Sequence, residues 1–100
     1  MDINNFINLV KNEIEEFSSF DELLEKAEIN DKEAMYKLGL LFERLWILSS
    51  EPKYADSAPE AEIRETMEYY MYNSADLGFE DAKQWINDYY DDDGRWDAYI

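Results

Sequence analysis

Apolar residues recur at spacings of three and four along almost the whole chain, and that period commits it to helix. Ile3, Phe6, Ile7, Val10, Ile14 and Phe17 predict a first helix over about Ile3 to Phe17. Leu23, Leu24 and Ala27 predict a short second one over about Phe20 to Glu28. Ahead of it stands Ser19-Phe20-Asp21-Glu22, the spacing of a capping box, in which the serine and glutamate side chains satisfy orphan backbone amides. A third helix, about Lys32 to Leu48, carries Met35, Leu38, Leu41, Phe42, Leu45 and Trp46. Ser57-Ala58-Pro59-Glu60 repeats the capping-box spacing and opens a fourth over about Pro59 to Leu77, which Gly78 ends as a left-handed C′ residue. A fifth, about Glu80 to Tyr90, sets Ala82, Trp85, Ile86 and Tyr89 on one face.

Between them, residues 49–58 are polar and proline-containing and read as a loop, and residues 91–100 form an acidic, aromatic tail. No stretch alternates convincingly with period two. The expected class is all-α: a five-helix antiparallel bundle or a short α-solenoid of helix-turn-helix repeats, one domain over residues 1–100.

Composition then removes whole classes of chemistry. The chain has no cysteine and no histidine, so disulfides, cysteine zinc sites, thiol nucleophiles and histidine general bases are out of reach. Abundant carboxylates make any single acidic pair uninformative, and the expectation is a protein that is not an enzyme and carries no cofactor. Asp and Glu number 25 against nine Lys and Arg, a net charge of −16. Such a surface repels nucleic acid and anionic membrane and attracts a basic protein. Hydrophobic residues at 46% supply a core, which argues against disorder. Met1-Asp2-Ile3-Asn4-Asn5 lacks the basic start of a signal peptide, so a cytoplasmic, monomeric protein is expected.

The chain also repeats itself. Asn30 through Phe42 align with Gly78 through Tyr90 at a constant offset of 48 residues, pairing Asn30 with Gly78, Ala34 with Ala82, Leu38 with Ile86 and Phe42 with Tyr90. Each unit follows a helix that ends in a small residue, within Lys26-Ala27 in one case and Ser74-Ala75 in the other. Ala34, Leu38-Gly39 and Phe42, followed by Tyr70, Ser74-Ala75 and Gly78, resemble the paired helices of a Sel-one-like repeat, a relative of the tetratricopeptide repeat. The likeness covers about residues 20 to 90. It departs where the proline-containing segment 49–58 replaces a short glycine turn, and where Ile86-Asn87 stands for Leu-Gly. The resemblance implies a protein-interaction scaffold without an active site.

Two surfaces are candidates for binding. On a wheel of the fourth helix, Ile63, Met67, Tyr70, Met71 and Ser74 gather on one side, and Glu65, Tyr69, Tyr72 and Asp76 on the other, with Glu68 beside them. Tyrosines among carboxylates suit an interface, because tyrosine offers large area with a polar tip. The second surface is the run Asp88, Asp91, Asp92, Asp93, Trp96 and Asp97. Aligned on Gly94, that run puts Tyr89 at the first ligand position of an EF-hand loop and no glutamate at the twelfth, which argues against calcium. Three functions fit this inventory. They are an immunity protein neutralising a basic toxin such as a nuclease, a Sel-one-like adaptor, and a nucleic-acid mimic that inhibits a host defence protein.

Overall fold

The computed structural model describes residues 2–93, with backbone only for 90–93. Its α-helices are α1 (Ile3–Val10), α2 (Phe20–Glu28), α3 (Lys32–Ser49), α4 (Glu60–Asp76) and α5 (Glu80–Asp93), with a 3-10 turn at Glu15–Ser19. Among the described residues there is no strand, and the class is all-α.

The long α3 is the axis of the packing. Its apolar residues cover well over half of its circumference, because α2 and α4 both lie against it. Leu38 and Leu45 on α3, and Ile63, Met67 and Met71 on α4, are completely buried. Each such side chain contributes roughly 1.5–3 kcal/mol relative to exposure. Contacts along this pair fix its direction. Ser74 Oγ donates to the Lys32 carbonyl at 2.7 Å, the Phe42 and Tyr70 rings stack at 5.9 Å, and Trp46 Nε1 donates to Glu60 Oε1 at 3.0 Å. Numbers rise on α3 as they fall on α4, so the two run antiparallel. Gly39 makes the close approach possible: a Cβ there would stand 2.7–2.9 Å from Met71 Cε, Sδ and Cγ. Between α3 and α5 the order is the reverse. Tyr36 meets Phe79 at 5.3 Å, Trp85 Nε1 donates to Glu43 Oε2 at 2.9 Å, and Trp46 meets Tyr89 at 6.1 Å, so α5 runs parallel to α3.

The corners α2–α3 and α4–α5 are built alike. Asn30 has φ +62°, its N–H bonds the Ala27 carbonyl at 3.0 Å, and Asp31 N–H bonds that of Lys26 at 3.1 Å. Gly78 has φ +93°, its N–H bonds the Ala75 carbonyl at 2.9 Å, and Phe79 N–H bonds that of Ser74 at 3.1 Å. Both are Schellman caps, and every member of one lies 48 residues from its counterpart, the offset of the sequence repeat. Ala34 and Ala82, in the following first turns, are both buried.

Several sequence expectations need correction. The first helix stops at Val10, not Phe17. Ile14 is extended (φ −120°, ψ 104°), and the chain re-enters as a 3-10 turn that runs directly into α2. Burying Ile14 and Phe17 from this new direction outweighs the propensity of the few residues that leave the helix. Neither capping box forms. Ser19 belongs to the 3-10 turn and its hydroxyl donates to the Glu16 carbonyl at 3.2 Å, while Pro59 takes the N-cap position of α4. Carboxylates cap instead where the backbone is extended: Asp2 accepts from Asn5 N–H at 2.8 Å and Asp31 from Ala34 N–H at 3.0 Å.

The segment 49–58 is not a plain linker. Ser49 belongs to α3, and the rest is a series of turns closed by bonds such as Tyr54 N–H to Glu51 and Ala58 N–H to Tyr54. Tyr54 is buried, edge-on to Phe6 at 5.5 Å, with its hydroxyl donating to Glu13 Oε2 at 3.0 Å. Finally, α5 continues through Asp93, so the first three residues assigned to the tail are helical.

Candidate binding surface

The α3–α4 register places one side of α4 in the core and turns the opposite side to solvent. Glu62, Glu65, Tyr69 and Asp76 are exposed there, and Tyr69 is 60% exposed. Its ring is nonetheless held. It lies edge-on to Tyr70 at 5.2 Å, Tyr70 stacks on Phe42, and Phe42 meets Phe20 of α2 at 6.2 Å. A chain of rings thus anchors an exposed tyrosine to the core, which lowers the entropy that a partner would have to remove. Burial, and next the neighbouring Tyr69, pushes the Tyr70 hydroxyl pKa up.

Not every residue of the predicted stripe belongs to it. Glu68 and Tyr72 are half-buried, and Glu68 pairs with Arg64 at 3.7 Å. Asp88 is exposed and accepts from Gln84 Nε2 at 2.9 Å on the outer side of α5, so it lies apart from the α4 stripe. Asp91, Asp92 and Asp93 have helical backbone, but their side chains lie outside the described residues, as do Trp96 and Asp97 altogether. The structure brings together Glu65, Tyr69 and Asp76, and adds Glu62.

Charge is uneven along the fold. Residues 56–93 hold twelve acidic side chains against two basic ones, Arg64 and Lys83. Both are engaged locally, Arg64 by Glu68 and Lys83 by Glu80 at 3.4 Å. The carboxylates of the α4 outer face therefore stand without a cation of their own element, and their field is unbalanced.

A second aromatic assembly escaped the sequence analysis. Trp85 stacks on Tyr89 at 4.8 Å, Trp46 packs edge-on to Tyr89, and the two indole N–H groups are taken up by Glu43 and Glu60. All three rings are half-buried, and the cluster cements α5 to α3. Tyr36 beside it has a raised pKa, from burial first and then from Asp81 and Glu43. The sequence held a signal, Trp85 and Tyr89 on one face of the fifth helix and Trp46 on the third, but not the parallel register that joins them.

The buried polar side chains Ser49 and Ser74 donate to backbone carbonyls, of Trp46 at 2.6 Å and of Lys32, so both hydroxyls serve the fold. Among the described residues no cluster of His, Cys, Asp and Glu is placed to hold a metal ion. No helix among them is long and apolar enough to cross a membrane. No family model, curated protein or solved structure matches the chain.

Proposed function

We propose that this protein is a non-catalytic inhibitor of the immunity-protein kind, which neutralises a basic partner such as a nuclease by covering it with the outer face of α4. One observation carries the reading. Tyr69 is 60% exposed yet anchored through Tyr70 and Phe42, and the exposed residues around it are the carboxylates Glu62, Glu65 and Asp76. A rigid aromatic at the centre of unbalanced negative charge fits a hot spot, and the charge supplies approach rate and register.

The test begins with the protein immobilised as bait at low salt, and identifies what it retains. A basic protein should be held, released by raised salt, and blocked in its own activity by stoichiometric bait. Tyr69→Ala with Glu65→Lys should lose both retention and inhibition. Acidic or neutral partners held regardless of salt would overturn the reading.

A second reading is an interaction adaptor of the Sel-one-like kind. The matching Schellman corners 48 residues apart, with α3 and α5 parallel, favour it. An adaptor that binds through another surface keeps its affinity when Tyr69 is replaced.

A further inference from the structure

A crevice of about 400 Å³ opens between the 3-10 turn and Leu23 of α2 on one side and α3 on the other. Leu23, Leu40 and Leu41 line it, and Glu16, Glu43 and Arg44 stand among its polar lining. Ile47 is 62% exposed one turn beyond Glu43 on α3, and Leu40 is only half-buried. The side of α3 bearing Leu40, Glu43 and Ile47, at spacings of three and four, thus continues the crevice as an open apolar stripe of about two turns, or roughly 11 Å. An occupant of such a trough extends along α3, which suits a segment of chain.

Charge decides whose segment. The crevice cations are already answered, Arg44 by Glu16 at 3.5 Å and Lys37 by Glu33 at 3.2 Å. Among the described residues Glu43 meets the neutral indole N–H of Trp85 and no cation, so no described charge compensates it at the edge of the stripe. A second copy of the chain brings another −16, and an anionic lipid surface is repelled in the same way. A segment with aliphatic residues on one side and Lys or Arg on its flanks satisfies both the apolar floor and the carboxylate edge. We propose that the α2–α3 crevice docks a basic amphipathic helix of a partner protein, with aliphatic anchors on Leu23, Leu40 and Ile47 and a cation at Glu43. This surface is separate from the outer face of α4 and does not rest on the inhibitor reading.

The test uses labelled peptides of about 14 residues on the full chain, read by fluorescence anisotropy. One peptide carries leucines at helical spacing with lysines elsewhere, one is lysine-rich without leucine, and one has the leucines with glutamates. The leucine–lysine peptide should bind. Leu40→Ser and Ile47→Ser should each weaken it by about tenfold, a loss of roughly 1.4 kcal/mol. Tyr69→Ala should leave it unchanged, which separates this result from any failure of the α4 reading. Equal binding of the leucine-free peptide, or of the glutamate one, would overturn the proposal. If Leu40→Ser proves unfolded by circular dichroism, Ile47→Ser and amide shifts mapped on the unmodified protein decide the matter. Shifts at Leu23, Leu40, Arg44 and Ile47 support the crevice, and shifts elsewhere with none there reject it.

Discussion

Replacing Gly39 by alanine adds one methyl group at the closest point of α3 and α4, and the sign of its effect tests the whole account of that packing. A Cβ at position 39 would lie 2.7 Å from Met71 Cε, 2.8 Å from Sδ and 2.9 Å from Cγ. Carbon atoms rest at about 3.5–4.0 Å, so the deficit is roughly 1 Å. It involves Cγ as well as the tip, so rotating the terminal methyl cannot clear it. Met71 is fully buried, so shifting it moves its packed neighbours as well. Overpacking of this kind costs about 1–3 kcal/mol. Against it, alanine in a helix interior gains about 1 kcal/mol over glycine. The net expectation is a loss of roughly 0–2 kcal/mol, measured as a lower urea midpoint with unchanged slope. The decisive comparison is a double-mutant cycle. Met71→Ala alone should cost about 2–5 kcal/mol, and in that background Gly39→Ala should stabilise by about 1 kcal/mol, because the clash has gone and the propensity gain remains. If Gly39→Ala stabilises equally in both backgrounds, the helices are not in contact there and the reasoning is refuted.

Gly78→Ala should act by a different route. Among the described residues no atom beyond its chain neighbours lies within 4 Å of its would-be Cβ, so the expected loss of about 1–2 kcal/mol comes from φ +93°, and Gly78→Asn should cost less. Equal losses for Ala and Asn in urea melts would contradict this. Tyr54→Phe should lose about 1 kcal/mol with its bond to Glu13, whereas Tyr54→Ala should lose about 3–5 kcal/mol, and similar values for the two would deny the ring its packing role. The folded protein holds the Tyr36 and Tyr70 protons more tightly than the unfolded chain, so it binds more protons above the ordinary tyrosine value of 10.0. Stability should therefore be constant for these groups below that pH and fall as pH rises through their raised values. Tyr36→Phe with Tyr70→Phe should flatten this alkaline loss in melts across the range, and an unaltered slope would assign it elsewhere.

Much of this fold could be read from periodicity, because α2, α3 and α4 each turn an apolar face to a packed neighbour and their apolar spacing reports it. The constant 48-residue offset also located both corners, since a position that needs positive φ leaves Asn or Gly behind. Periodicity failed where a chain turns but keeps its spacing. Ile14 and Phe17 continue the pattern of α1 and reach the core by another path. The capping-box spacing misled because a cap needs an extended backbone, and Ser19 (φ −105°, ψ 13°) does not have one. At the candidate site the wheel separated core from surface around Met71 and Tyr69. It did not show that Tyr72 and Glu68 are less exposed than Tyr69, because one wheel cannot report what lies along a second flank of the helix. The Trp46–Tyr89–Trp85 cluster was out of reach for the same reason, being set by the register between helices and not by either helix alone.

The buried Tyr54 makes two remote stretches share one fate. Phe6 packs on its ring, Glu13 takes its hydroxyl proton, and Lys53 beside it reaches Glu13 at 3.5 Å. The amino-terminal segment is therefore clasped by a series of turns some 41 residues downstream. When those turns open, Phe6 and Glu13 lose this anchor together, while the α3–α4 pair keeps its own contacts. Amides of α1 and of residues 50–58 should then exchange with solvent hydrogen at a common rate, faster than those of α3, as one cooperative unit of lower stability than the core. The segment that resembles a spacer in sequence thus acts as the latch of the amino terminus, and cutting or lengthening it would be felt first at residue 6.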